Sequence, residues 1–202
     1  KDHFLSFFDS IKTEDSILVY TSAISSHHPI LNLFKDRGVN VYKRADLLQF
    51  ISKDYCVIAI AGTHGKTTIS IMLSHILKYS GLNCNAFFGG ISHNYDTNFM
   101  IGDSDIMVIE ADEYDKSFLK LTPDISLISS LDKDHGDIYK DYKDMLNAYK
   151  AFIFNTKRQV IGHRKLKHKF DATYSIEDDS DFYADNISYK QQSLHFKIQF
   201  PN

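Results

Sequence analysis

The chain has 202 residues, of which 43% are apolar and 24% are charged, and its formal net charge at pH 7 is −3. These proportions are those of a folded globular protein, and the charge excludes the broad basic surface of a nucleic-acid-binding domain. No apolar stretch approaches the roughly 18 residues of a membrane span, and two cysteines are too few for a zinc site or a disulfide framework. We therefore expect a cytoplasmic protein without a nucleic-acid partner and without insertion into a membrane, whose oligomeric state the sequence does not indicate.

The first fifty residues alternate between strand and helix patterns. Apolar, β-branched runs predict strands over 17–20 and 39–42, and amphipathic segments predict helices over 29–35 and 45–52. Such alternation is typical of a parallel sheet. A polar joint follows the second helix, and we place a domain boundary there, between a part at 1–53 and a part at 54–202.

A buried strand predicted over 57–61 leads directly into a glycine turn with a cation and a hydroxyl. Gly62 and Gly65 allow a close approach of the backbone to phosphate oxygens, Lys66 supplies positive charge, and the hydroxyl of Thr67 can bind Mg²⁺. Residues 62–68 (Gly62, Thr63, His64, Gly65, Lys66, Thr67 and Thr68) therefore predict a nucleotide phosphate site.

The spacing of this turn departs from the usual P-loop. That pattern requires a glycine five residues before Gly65, and this chain has Ile60 there. The context supports the prediction nonetheless, because an apolar strand precedes the turn and apolar residues at helical spacing follow it, up to a terminating glycine at Gly81. We interpret the turn as a shortened phosphate loop.

The rest of the chain continues the α/β pattern. Short apolar runs predict strands over 85–88, 106–109, 125–128 and 159–162, with the first of these ended by Gly89 and Gly90. Asp141 is a suitable N-cap for a helix, and the alternating tail predicts a β-hairpin turning at 190–193. The predicted fold is α/β, with a mostly parallel sheet flanked by helices and a C-terminal hairpin.

Acidic residues follow the predicted strand 106–109. In open α/β sheets the carboxyl ends of the strands carry the ligand crevice, so a carboxylate there could complete a metal–nucleotide site. Glu110 directly follows the buried strand, and we assign it that role. Asp112 and Glu113 fit the simpler interpretation of acidic residues that keep a loop soluble.

A histidine flanked by carboxylates follows the predicted strand 125–128. His135 lies between Asp134 and Asp137, and a histidine in such a setting can bind a metal or carry a proton. Taken alone, such a histidine is more often an ordinary surface residue. Its place beyond the carboxyl end of a strand is what favours a function.

Three motifs taken together resemble the Mur ligases of peptidoglycan synthesis. The resemblance rests on the order and spacing of the phosphate loop, the acidic segment at 110–115 with residues 117–119, and the group Asp134, His135, Asp137 and Tyr139. It implies an ATP-dependent ligase that phosphorylates a substrate carboxylate and joins it to an amine as an amide. Residues 19–24 and 41–47 further resemble the end of the family's UDP-binding domain, in the members that join L-alanine to UDP-N-acetylmuramate.

The resemblance implies a role for each site residue. Lys66, Glu110 and His135 would be catalytic, residues 62–68 would bind ATP, and Thr67, Glu110 and His135 would bind Mg²⁺. Ser117 lies where the family approaches its sugar substrate. Some relatives carry a carbamylated lysine, for which Lys150 is the nearest candidate.

Alternatives remain at this point. The chain resembles an incomplete central ATP-binding domain that lacks the family's C-terminal, amino-acid-delivering domain, so we expect the isolated chain to be inactive. Another ligase of the superfamily, such as the tripeptide-recycling muramyl ligase or folylpolyglutamate synthase, fits the same motifs. So does a nucleotide-binding module that has no ligase chemistry.

Overall fold

A computed structural model of the protein describes residue 8 and residues 10–132, 139–176 and 180–201. Contacts between Cα atoms divide the chain into two compact units, Lys1–Ile51 and Ser52–Asn202. Within the described ranges, no helix is long and apolar enough to cross a membrane. The assignment of the first unit to a UDP-binding domain stays a prediction.

The first unit is a small parallel α/β layer. Its strands β1 (Ile17–Tyr20) and β2 (Asn40–Lys43) pair in parallel, joined by helix α1 (Pro29–Asp36) and followed by helix α2 (Arg44–Ile51). The predicted elements are thus confirmed with shifts of one residue at their ends. Phe8, Phe34 and Val39 form the buried cluster of this unit.

The second unit is built on a nine-stranded sheet in the order β11-β10-β9-β8-β7-β3-β6-β4-β5. Its strands are β3 (Cys56–Ala61), β4 (Asn85–Ser92), β5 (Thr97–Met100), β6 (Ile106–Glu110), β7 (Ile125–Ile128), β8 (Gln159–His163), β9 (Ala172–Ser175), β10 (Phe182–Lys190) and β11 (Ser193–Gln199). All neighbouring pairs are parallel except β4–β5 and β10–β11, the two outermost pairs. The predicted mostly parallel sheet is confirmed.

Two helices accompany this sheet. Helix α3 (Lys66–Tyr79) starts directly after the phosphate loop and packs on β3, β4 and β6. Helix α4 (Tyr142–Phe154) is capped by the Asp141 side chain, which accepts a hydrogen bond from the Asp144 amide. The predicted N-cap is confirmed.

Two apolar clusters lie in the described part of the second unit. One lies between the sheet and α3 and is formed by Ile60, Cys84, Ala86, Phe88, Met100 and Val108. The other joins α4 to a 3₁₀ segment at Tyr114–Lys120, where the Phe118 ring stacks on Phe152 with centroids 4.9 Å apart and meets the edge of Tyr149. This second cluster lies under the segment that follows β6.

The observed sheet differs from the predicted one at three places. β4 does not end at Gly89 and Gly90 but runs through them to Ser92, because these glycines bring the strand against other side chains rather than turning it. The sequence did not predict β5 or β9, which are short strands that alternate weakly and owe their conformation to the neighbours with which they pair.

The predicted hairpin is confirmed. β10 and β11 pair antiparallel, and Gln191 and Gln192 form the turn with φ angles of 47° and 62°. Two consecutive positive φ values are typical of the tight turn whose twist matches that of the strands.

Candidate phosphate and metal site

The phosphate loop lies at the carboxyl end of the central strand β3. Gly62 has a φ of +132° and Gly65 a φ of +83°, so both positions require glycine. A Cβ at Gly62 would also collide with the Ser129 hydroxyl and the Ser130 amide. The loop therefore passes tightly against the segment that follows β7, and only glycine permits this contact.

The segment after β7 holds the first half of the loop. The Thr63 amide donates to the Ser130 carbonyl at 3.1 Å, and the His64 amide donates to the Ser130 hydroxyl at 2.9 Å. The Ser129 hydroxyl donates in turn to the His64 carbonyl at 2.5 Å. The sequence did not identify Ser129 or Ser130 as part of the site, because serines after a strand carry no distinctive signal.

The second half of the loop is the amino end of α3. The first amides of an α-helix have no acceptor within the helix and point outward with the positive end of the helix dipole. Here they face an open cleft of about 250 Å³ lined by Thr63, His64, Gly65, Lys66, Thr67, Thr68 and Glu110. The structure thus brings six of the seven predicted loop residues and the predicted carboxylate into one cleft, with Gly62 just beneath.

Glu110 lies where β6 ends, next to Thr67. The Thr67 hydroxyl donates to Glu110 Oε1 at 2.8 Å, and the Gly89 amide donates to Oε2 at 2.6 Å. A Cβ at Gly89 would lie 2.6–3.0 Å from the atoms of this carboxylate. Gly89 therefore leaves the space that Glu110 occupies, which is a function that the sequence did not reveal.

The donor set suits a magnesium ion. A hydroxyl and a carboxylate oxygen within hydrogen-bonding distance are the hard oxygen ligands that Mg²⁺ prefers, together with water and phosphate oxygens. In the parts of the chain that the structure describes, no group of three or more His, Cys, Asp and Glu side chains is arranged to hold a metal. His135, the third predicted ligand, lies outside the described residues together with Asp134 and Asp137.

Lys66 forms a buried ion pair with Glu113. Its Nζ atom lies 2.9 Å from Glu113 Oε1, and the two side chains are only 13% and 1% exposed. The interpretation of Glu113 as a residue that keeps a loop soluble is therefore wrong. Asp112 is exposed, as that interpretation predicts. The 3₁₀ turn after β6 directs one of these carboxylates inward, which sequence spacing alone does not show.

Two buried tyrosines lie near Glu113. The Tyr139 hydroxyl donates to the Glu113 carbonyl at 2.8 Å, and Tyr149 is 1% exposed. Burial raises the pKa of both Tyr139 and Tyr149, and the Glu113 carboxylate raises them further. Both hydroxyls stay protonated at neutral pH, and the proton of Tyr139 is donated to the main-chain carbonyl of Glu113.

Three other predicted residues have different surroundings. The His64 side chain is 68% exposed and lies 3.7 Å from Asp132, so the pair contributes little energy. The Ser117 hydroxyl donates to the Asp112 carbonyl at 2.9 Å and thereby holds the turn. Its role towards a sugar substrate stays a prediction. Lys150 lies on α4 and is exposed.

Comparison with known proteins agrees with this geometry. Residues 60–202 match the Mur ligase middle domain. The chain belongs to the Mur ligase family. The resemblance stated from the motifs is thereby confirmed, and with it the membership of a family of ligases.

Individual relatives are longer than this chain. A UDP-N-acetylmuramate–L-alanine ligase of Cytophaga hutchinsonii is 38% identical over 94% of the chain, which covers 44% of that protein. Among solved structures, the UDP-N-acetylmuramate-alanine ligase of Thermotoga maritima matches 94% of this chain and 46% of its own with a TM-score of 0.79 and 20% identity. The MurF ligase of Thermotoga maritima, solved in complex with ADP, matches 94% of this chain and 55% of its own with a TM-score of 0.63 and 12% identity. The chain therefore spans less than half the length of the first of these relatives, and the solved structures show the fold it shares.

Proposed function

We propose that this chain provides the ATP- and magnesium-binding centre of a ligase that joins L-alanine to UDP-N-acetylmuramate in peptidoglycan synthesis. The observation that carries the proposal is the convergence of the phosphate loop and Glu110 on one cleft in a member of the Mur ligase family. The identity of 38% to a relative that bears this name, over 94% of the chain, favours L-alanine as the amino acid. The fold similarity to a ligase that holds ADP supports the nucleotide.

The loop residues would bind the phosphates of ATP. The amides at the amino end of α3 face the cleft and can donate to phosphate oxygens, and the ammonium of Lys66 can neutralise charge on the β- and γ-phosphates. Such charge stabilisation is the main contribution that a protein makes to phosphoryl transfer. Thr68, in the first turn of α3, lines the same cleft.

Thr67 and Glu110 would hold Mg²⁺, with His135 as a further ligand. A magnesium ion held there would supply positive charge against the negative charge that develops on the phosphate oxygens. The chain's own contribution is to hold the Thr67 hydroxyl and the Glu110 carboxylate 2.8 Å apart, on the first turn of α3 and the end of β6. Ser117 would approach the sugar substrate from the segment after β6.

The reaction would proceed in two steps on the substrates. The carboxylate of UDP-N-acetylmuramate attacks the γ-phosphorus of ATP, which forms an acyl phosphate and releases ADP. The amine of L-alanine then attacks the acyl carbon, and inorganic phosphate leaves as the amide forms and the amine loses a proton. The chain described here would serve the first step through its charges.

Phosphate release from the complete gene product tests the proposal. With Mg-ATP and UDP-N-acetylmuramate, phosphate release should require L-alanine, and a tripeptide should not replace L-alanine. With Mg-ATP and a folate substrate, the addition of glutamate should release no phosphate. A response to the tripeptide or to glutamate instead would support the other ligases of the superfamily. Binding of Mg-ATP without release under any condition would indicate a nucleotide-binding module.

The isolated 202-residue chain gives a second test. We expect it to bind Mg-ATP weakly and to release no phosphate with either substrate, because the similar ligase of Cytophaga hutchinsonii is more than twice as long. Substrate-dependent phosphate release from this chain would contradict the expectation of inactivity.

A further inference from the structure

The ammonium of Lys66 has acceptors both in its own loop and on Glu113 in the turn after β6. It donates to the Gly62 carbonyl at 2.8 Å and to Glu113 Oε1 at 2.9 Å, and lies 3.5 Å from the Thr63 carbonyl. An ammonium has three N–H donors, which equals the number of these acceptors. A phosphate oxygen would therefore compete with these acceptors for Lys66, and the Glu113 carboxylate is the one among them that carries a negative charge.

The position of Glu113 is fixed by a strained turn. Asp115 and Lys116 both have φ angles of +54°, an unfavourable conformation for residues other than glycine. Lys116 Nζ pairs with the Asp144 carboxylate at 3.0 Å at the start of α4, and its charge lies 5.4 Å from the centre of the Tyr139 ring. These contacts hold the turn, and the hydrogen bond from Tyr139 to the Glu113 carbonyl holds its first residue.

The same segment satisfies both ligand-binding groups of α3. Glu110 accepts a hydrogen bond from the Thr67 hydroxyl, and Glu113, three residues later, accepts one from the Lys66 ammonium. The first contact involves the two proposed magnesium ligands. The second contact involves the proposed phosphate ligand, and its carboxylate offers Lys66 the same anionic oxygen that a phosphate would offer.

We propose that Glu113 is a positioning residue whose carboxylate takes the place of a nucleotide phosphate on Lys66 until the nucleotide displaces it. This inference rests on the proposed function, because it assumes that a phosphate binds at the loop. It assigns Glu113 a part in nucleotide affinity rather than in the chemical step. Removal of the competing carboxylate should therefore tighten the binding of ATP.

Calorimetric titration of the 202-residue chain with ATP, without and with Mg²⁺, tests this role. Glu113→Gln keeps the shape and an acceptor oxygen but removes the charge, and we expect it to bind ATP about tenfold more tightly, or about 1.4 kcal/mol. Asp112→Asn is the matched control, because it removes an exposed charge from the same turn without a contact to Lys66. Its affinity should stay within about twofold of the unaltered chain.

A second variant covers the case in which Glu113→Gln does not fold. Tyr139→Phe removes only the hydroxyl that holds the Glu113 carbonyl, and it should tighten ATP binding in the same direction by a smaller factor. Equal or weaker binding by the folded variants would overturn the proposal, since a merely structural role of Glu113 predicts that result.

Acetylation of the nucleotide-free chain reads the pairing directly. In the unaltered chain Lys66 is shielded and should react several times more slowly than Lys78, which serves as the internal reference in the same helix. Glu113→Gln should remove most of this difference. If no variant binds ATP but the acetylation rates change as expected, the nucleotide site is wrong and the ion pair is real. Unchanged acetylation together with unchanged ATP affinity would refute the role of Glu113 alone.

Discussion

Gly89→Ala should disable the proposed magnesium site without altering any of its ligands. A Cβ at this position would lie 2.6 Å from Glu110 Oε1, whereas ordinary contact begins at 3.4 Å, so the carboxylate must move by about 0.8 Å. It would also lose the hydrogen bond from the Gly89 amide. Since Mg²⁺ requires ligands at about 2.0–2.1 Å in near-ideal geometry, a shift of this size removes Glu110 as a ligand.

The magnitude follows from the contact that is lost. A hydrogen bond or ligand contact to a charged group contributes about 1.5–3 kcal/mol, which corresponds to a factor of roughly ten to one hundred in affinity. We therefore expect the enhancement of ATP binding by Mg²⁺ to fall by that factor, while binding of ATP without Mg²⁺ changes little. Because the atoms in the way belong to the end of a flexible side chain, the melting temperature should stay close to that of the unaltered chain.

The neighbouring glycine provides the control. A Cβ at Gly90 would lie 3.4 Å from the Thr67 methyl group, which is nearly an ordinary contact, so Gly90→Ala should retain most of the magnesium effect. Calorimetric titrations of the three chains with ATP, at several Mg²⁺ concentrations, measure the difference. A folded Gly89→Ala chain with the full magnesium effect would refute the assignment of Glu110.

Three further predictions concern stability. Gly62→Ala combines an unfavourable φ of +132° with a collision against the segment after β7, and should reduce the free energy of unfolding by at least about 2 kcal/mol, measured by urea denaturation; a change below 0.5 kcal/mol would show that the loop is not tightly packed. Phe152→Ala removes a fully buried ring stacked on Phe118 and should reduce the free energy of unfolding by about 3–5 kcal/mol in the same experiment. A much smaller reduction would show that this cluster is not tightly packed. The hydrogen bond from Lys116 lowers the pKa of Asp144 below its ordinary value of 3.8, so the carboxylate stabilises the fold above that pH and the effect is lost as the pH falls through the lowered pKa. Asp144→Asn should therefore melt at a lower temperature than the unaltered chain near pH 7, and circular dichroism should show the gap closing below about pH 3.8; a gap that does not depend on pH would exclude the carboxylate as its cause.

The sheet was largely predictable because its central strands are short, apolar runs. β7 has the predicted bounds, as does β1 in the first unit, and a helix follows the phosphate loop as predicted. β5 and β9 could not be predicted, since four residues with weak alternation become strands only through pairing with neighbours. Gly89 and Gly90 led to the wrong prediction that β4 ends there, because a glycine can indicate a close approach of the backbone to other atoms as well as a turn.

The sequence predicted those site residues whose chemistry follows from their type and their place after a strand. It predicted less well the residues whose role depends on the direction of the side chain. A lysine after a glycine turn and a glutamate after a buried strand identified Lys66 and Glu110. Glu113 is buried and is followed in the next turn by two left-handed residues, Asp115 and Lys116. Neither of them is glycine, so the local sequence does not predict this turn. Long-range hydrogen bonds such as those from Ser129 and Ser130 depend on strand order, which single-residue patterns do not contain.

The bonds between the phosphate loop and the segment after β7 have a consequence for the kinetics of ligand capture. Because the Thr63 and His64 amides are already anchored to Ser130, we expect the loop to keep this backbone when a ligand binds. An incoming anion then loses no free energy to the ordering of main chain, and needs only one long side chain to change its rotamer. Association should be rapid, and solvent viscosity should slow it only as much as it slows diffusion. Differences in affinity among variants of this loop should appear mainly as differences in the dissociation rate.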